Sequence, residues 1–201
     1  MRNASGLKRK SGWLRLKVYE GVPVTFLLPG KILKSFQFYG YALIQILIEP
    51  KRFFTELPDN TSMMKSLGFF ILCAVFYTGA SLLISRYAHP VETGALFFLG
   101  SLGMTFVSAC VSYGIMTLTI GRKTGFETIF SIHAFSSGIM LLLSWVSFFF
   151  WLTEVWKWWL IYTGFRNAGK LSWKPAILIP FISMAVYIFL AFSLFPVFFR
   201  P

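Results

Sequence analysis

From Ser66 onward the chain is a series of long uncharged stretches separated by short polar links. The first runs from about residue 66 to 85 and the second from about 94 to 120. The third covers about 128–149, the fourth about 152–165, and the fifth 175 to about 198. Apolar runs of about 18 or more residues predict transmembrane helices, because a helix satisfies its own backbone inside hydrocarbon. At about 1.5 Å of rise per residue, four of the five can cross a core of about 30 Å. The fourth reaches only about 20 Å, so it has to sit askew, thin the bilayer or draw on its flanks. The expected fold is an all-α integral membrane protein, a five-helix transmembrane bundle over residues 66–198.

Upstream the pattern changes. Residues 31–48 read KILKSFQFYGYALIQILI. On a helical wheel Lys31, Lys34, Ser35, Gln37, Tyr41 and Gln45 gather on one side. Leu33, Phe36, Tyr39, Leu43, Ile46 and Leu47 gather on the other. This predicts an amphipathic helix lying in the membrane interface. A helix packed on the protein's own cytoplasmic face fits the same pattern. EPKRFFTELPDN follows as a polar turn closed by Pro58 and Asp59, completing a region over residues 31–65. Residues 1–30 read as a basic cytoplasmic arm, with Lys8, Arg9, Lys10, Arg15 and Lys17 against one acid, Glu20. Pro23, Pro29, Lys31 and Lys34 break the apolar stretch after these charges, which argues against a cleaved signal.

Composition agrees with the membrane reading: 56% of residues are hydrophobic and only 13% charged, too few to coat a soluble domain of 201 residues. The net charge of +12 would suggest nucleic acid in a soluble protein. Here it is expected to reflect basic segments against anionic lipid headgroups, and with no zinc-finger spacing no nucleic-acid partner is expected. With the N-terminus cytoplasmic, the inside segments hold 16 Lys and Arg and the outside segments 3. That asymmetry places the C-terminus on the opposite side. The expected location is a prokaryotic inner membrane. Cys73 and Cys110 both fall inside apolar runs and read as buried, reduced thiols.

Chemistry is sparse. SIHAFSSGIMLLLSW, residues 131–145, places His133, Ser136 and Ser137 about one turn into the third span. Such groups hydrogen-bond neighbouring helices, whereas a proton relay needs further titratable partners along its path. Glu154 and Lys157 stand three apart, as either an interfacial ion pair or a polar feature lining a cavity between spans. Together these five residues form the candidate intramembrane polar site. Trp151, Trp156, Trp158 and Trp159 cluster where the third and fourth spans meet the outer interface, as anchoring tryptophans do. In the second span Ser101, Thr105, Ala109, Ser108 and Ser112, with Gly100 and Gly103 nearby, form rows of small residues. Ala74, Thr78, Gly79 and Ala80 do so in the first. Such rows build a tight bundle or a self-association seam. No HExxH, paired carboxylates or Cys–His cluster is present, and GRKTG lacks the ending of a phosphate loop. No catalytic residue, metal or cofactor is expected.

The order of EPKRFFTELP, two spans, GRKTGFETIFSIHAFSSGIMLLLSW, and EVWKWWLIYTGFRNAGKLSWKPAILIP resembles the Yip family of Ypt/Rab-interacting membrane proteins, in particular its short prokaryotic-type members. The resemblance covers roughly residues 45–198. It rests on the Gly-rich turn, the run Ala134-Phe135-Ser136-Ser137, and a Trp-led short span closing on Gly164. It implies a five-span bundle with a cytoplasmic N-terminus, and a packing role for His133. Eukaryotic relatives act in vesicle traffic, bind prenylated Rab GTPases and associate with one another. They carry an acidic arm with a Leu-Tyr-Gly-Pro-like motif. The arm here is basic and lacks that motif, which weakens the case for a Rab-type partner.

Two functions are therefore expected. One is a non-enzymatic membrane-organising adaptor or scaffold, with membrane lipids, copies of itself or other membrane proteins as partners. Lys8, Arg9, Lys10, Lys31, Lys34, Lys51 and Arg52 would meet lipid or partner, with Phe53 and Phe54 as anchors. The other is a lipid or small-solute transport component, its path lined by His133, Ser136, Ser137, Glu154 and Lys157.

Overall fold

The computed structural model describes residues 30–57, 63–85, 87–144 and 150–198. Among them there are only helices, turns and bends. The elements are α1 (Gly30–Ile48), α2 (Pro50–Glu56), α3 (Met63–Ile84), α4 (Pro90–Ile120), α5 (Phe126–Ser144), α6 (Phe150–Asn167) and α7 (Trp173–Phe198). The chain divides into two units, Met1–Phe36 and Gln37–Pro201, and the helical bundle belongs to the second.

Among the described residues three helices are long and apolar enough to cross a membrane: α3 with 22 residues, α4 with 31 and α5 with 19. Their apolar side chains are widely exposed, with Leu83 and Leu118 each 88% accessible. Exposed apolar surface on this scale belongs against lipid, and the protein is membrane-embedded. The five-span expectation is met in part. Helix α6 has 18 residues, longer than the fourth apolar run, so length is not its limitation. It carries Glu154, Lys157 and Arg166, and that charge sets it apart from the three apolar helices. Helix α7 is 26 residues long and apolar through Phe189.

Helix α5 is the centre of the unit. Its apolar window is 61% buried, against 22% for α3 and 17% for α4. It packs against α3, α4 and α6, while α7 packs on α4 and α6. Two glycines let its neighbours approach. A Cβ on Gly138 would lie 2.9 Å from Phe69 Cε1 on α3. One on Gly164 of α6 would lie 2.5 Å from Ile132 Cγ2 on α5. Both are inside ordinary carbon contact of about 3.5–4.0 Å, so these positions need the missing side chain.

The region before α3 is part of the core. In α1, Ala42, Gln45 and Ile46 are buried, and the Tyr39 ring stands 6.1 Å from Phe69. Gln45, placed on the polar side of the wheel, faces inward and donates to Glu56 at 3.2 Å. The Gln37–Ile48 stretch packs on the protein through these residues and leaves Tyr41, Ile44, Leu47 and Ile48 exposed. Pro50 opens α2 from a first-turn position, where its missing N–H costs nothing. The expectation that Phe53 and Phe54 anchor the arm at the interface is overturned: they are 5% and 0% exposed. Phe53 and Phe69 each stack against Phe135 with centroids 5.0 Å apart, which fixes α2 and α3 to α5.

Candidate functional site

His133 lies seven residues past Phe126, two turns into α5 rather than one. It is 2% exposed, and a buried imidazole requires partners. Its Nε2 stands 3.0 Å from Ser112 Oγ on α4, which stands 3.1 Å from Ser183 Oγ on α7. Ser183 donates to the Ile179 carbonyl at 2.8 Å. Counting protons orients the chain, since each hydroxyl has one to give. The Ser183 proton is committed to Ile179, so Ser112 donates to Ser183. The Ser112 proton is then committed too, so His133 Nε2–H donates to Ser112. In this order the ring donates through Nε2, which leaves Nδ1 free to accept. One turn away, Tyr187 of α7 donates to the Ser108 carbonyl of α4 at 3.1 Å. These contacts tie α4, α5 and α7 together.

Beside this cluster lies a cavity of about 360 Å³ bounded by α3, α4, α5, α6 and α7. His133, Ser137, Glu154 and Lys157 all line it, together with Ser101, Thr105, Ser108, Ser144 and Tyr187. The close approach of Gly164 to Ile132 sets α6 antiparallel to α5, with Leu152 and Trp156 beside Met140 and Leu143. Glu154 precedes Gly164 by ten residues, about 15 Å along the helix. The cavity thus has His133 toward one end and the ionic pair toward the other. Lys157 Nζ contacts Glu154 Oε1 at 2.7 Å, with the two side chains 23% and 38% exposed. The ammonium also lies 5.7 Å from the centroid of the Trp158 ring. Glu154 and Lys157 form an ion pair, and the pair borders the cavity.

The fifth residue of the candidate polar site does not join them. Ser136 is fully buried, its Oγ lacks a hydrogen-bond partner, and it is absent from the cavity wall. Its neighbour on the preceding turn, Ser131, accepts a bond from Ser66 of α3 at 2.6 Å. In the second-span row, Thr105, Ala109 and Ser112 are buried, while Ser101, Thr105 and Ser108 line the cavity. Thr105, Ala109 and Ser112 are thus occupied inside the bundle. Gly100, Gly103 and Gly79 have open space where a Cβ would stand, so they create no close approach. Cys73 is buried as expected, but Cys110 is exposed on the outer side of α4.

Among the cationic candidates, Lys8, Arg9 and Lys10 lie outside the described residues, as do the side chains of Lys31 and Lys34. Lys51 is exposed. Arg52 is engaged, at 2.8 Å from Glu56 and 3.3 Å from Glu49. The hydrogen bonds from Arg52 and then Gln45 hold the Glu56 carboxyl below the usual carboxylate range. Bonds to Glu56 and Glu49 raise the guanidinium in turn. No group of three metal-ligating side chains occurs among the described residues.

Sequence reasoning passed over Ser183 and Tyr187. They stand four apart on α7, the spacing that puts two hydroxyls on one helix face, and that was the available signal. With the geometry in place, a family model described as the Yip1 domain matches residues 44–195. No curated protein and no solved structure matches the chain.

Proposed function

Because the chain belongs to the Yip1-domain family, we propose that it is a non-enzymatic membrane-organising protein, an adaptor or scaffold held in the bilayer by five spans. The observation that carries this reading is the family match over residues 44–195, which takes in every helix from α2 to α6 and most of α7. The charge asymmetry supports a cytoplasmic N-terminus, with 16 Lys and Arg inside against 3 outside. The basic arm, with Lys8, Arg9, Lys10, Lys31 and Lys34, would engage anionic lipid or a partner on that side, and Lys51 would extend the patch. Arg52 contributes less, since Glu49 and Glu56 neutralise it.

Tagged purification from native membranes in mild detergent, followed by mass spectrometry, tests the adaptor role. A stoichiometric protein partner is expected, and it should be lost when residues 1–30 are removed. That truncation spares Ala42 and Ile46, which the core needs. Absence of any partner from both preparations would overturn the proposal.

A second reading, movement of a lipid or small solute, is favoured by the cavity with His133, Ser137, Glu154 and Lys157 on its wall. Specific flux in reconstituted vesicles, abolished by Glu154→Gln in a folded protein, would support it. Equal flux through protein-free vesicles would exclude it.

A further inference from the structure

We infer that the cavity between α4, α5, α6 and α7 receives the headgroup of a zwitterionic phospholipid bearing a primary amine, the phosphoethanolamine class. Its volume of about 360 Å³ falls in the range of small-ligand sites, roughly 300–1,000 Å³. Selectivity follows from two features of the wall.

The first is the ion pair. Glu154 and Lys157 present opposite charges side by side, and a phosphoethanolamine head carries the same two charges to meet them. A purely anionic head would engage Lys157 but leave a carboxylate facing its phosphate. Uncompensated charge in a partly desolvated site is strongly disfavoured. The second is how the hydroxyl protons are spent. Ser101 donates to the Phe98 carbonyl at 2.8 Å and Ser144 to the Met140 carbonyl at 2.6 Å. Tyr187 donates to the Ser108 carbonyl at 3.1 Å. With these protons committed, all three oxygens offer the cavity lone pairs. These three acceptors, beside the Glu154 carboxylate, suit a head that brings several N–H donors. A primary ammonium has three N–H groups, and a quaternary one has none.

The acyl chains also have room. Met140 is shared with an apolar groove of about 340 Å³ formed with Leu47, Leu143, Leu152 and Trp156. Trp158 and Met184 are shared with a second, of about 190 Å³, on α6 and α7. A cavity that holds an ion pair and shares lining side chains with two apolar grooves matches an amphiphile better than a soluble solute. Lipid occupancy and the adaptor role are independent: either can be found without the other.

The test uses the full chain in nanodiscs of equal phosphatidylethanolamine, phosphatidylcholine and phosphatidylglycerol with identical acyl chains, read by native mass spectrometry of retained lipid. Phosphatidylethanolamine should be enriched about tenfold over the other two, the scale of one charge-assisted hydrogen bond. Glu154→Gln should remove that enrichment and shift preference to phosphatidylglycerol, because Lys157 is then unpaired. Lys157→Gln should lower retention of all three. Retention in proportion to bulk composition, preference for phosphatidylglycerol by the native chain, or a Glu154→Gln protein with unaltered preference would each overturn the inference. So would soluble glycerophosphoethanolamine displacing the lipid at equal concentration, which would make the free headgroup the ligand. If a variant fails to fold, the native enrichment and the headgroup competition decide.

Discussion

Gly164→Ala should loosen the contact that sets the register of α6 on α5. The added carbon would stand 2.5 Å from Ile132 Cγ2, 3.0 Å from Cγ1 and 3.3 Å from Cβ. Against a relaxed separation of about 3.5–4.0 Å, the first contact is short by about 1 Å. Ile132 is 0% exposed, and the atoms in the way lie at its branched Cβ rather than at the end of a flexible side chain. The helices must therefore part, and overpacking of this kind costs about 1–3 kcal/mol. Replacing glycine inside a helix returns roughly 0.5–1 kcal/mol, which leaves a net loss centred on about 1 kcal/mol and reaching about 2.5 kcal/mol. For a chain of this length that is a fall in Tm of roughly 2–8 °C, measurable by thermal unfolding in a mild detergent or bicelle. The adjacent residues carry the strain to the polar cluster, since the Phe165 ring lies edge-on to His133 with centroids 6.1 Å apart. Ile132→Ala removes both close atoms and keeps only Cβ. In that background Gly164→Ala should cost nothing further, a coupling of about 1 kcal/mol or more. An unchanged or raised Tm for Gly164→Ala alone, or an equal cost in both backgrounds, would refute the reasoning.

Other perturbations test the remaining contacts. Phe54→Ala empties a fully buried site beside Phe53 and should cost about 3–5 kcal/mol in the same unfolding assay, which an interfacial anchor would not. Ser112→Ala deprives buried His133 of its acceptor and should cost about 1–3 kcal/mol. Nitrogen chemical shifts of the labelled imidazole should report protonation on Nε2, and protonation on Nδ1 would reverse the donor order along the cluster. The Glu56 carboxyl is held below its ordinary value of 4.5, so its contribution is present above that pH and disappears as pH falls through the lower folded value. The effect should be small, because Arg52 and Glu56 are both half-exposed, and Glu56→Gln should abolish it.

The helices were legible in the sequence because hydrocarbon imposes a one-dimensional rule: an uncharged run of sufficient length becomes a helix whatever its neighbours do. The same rule hides which side of a span faces protein. In α4 and α5 both lipid and core are apolar, so Leu118 and Met116 look alike in sequence yet are 88% and 0% exposed. For that reason Gly100 and Gly103 could be grouped with Thr105 and Ala109, although they face outward with nothing to contact. Phe53 and Phe54 misled for a related reason. Aromatics beside Lys51 and Arg52 have the composition of an interfacial anchor, and only the return of α2 onto the bundle turns them into core.

The candidate site divides along the same line. A helical spacing of three made the Glu154–Lys157 pair readable, because that contact is local to one helix. Its proximity to the cavity of His133 depends on the register of α6 against α5, which is long-range. Yet that register leaves a trace in the sequence at Gly164, the one position in α6 without a side chain. Sliding α6 by one turn would carry Leu160 or Asn167 toward Ile132, where even a Cβ would stand at 2.5 Å. The glycine thus fixes the level at which Glu154 and Lys157 meet the wall built by α4 and α5. Charges that make α6 the least lipid-compatible of the long helices are tolerated because that level gives them a polar cavity to face.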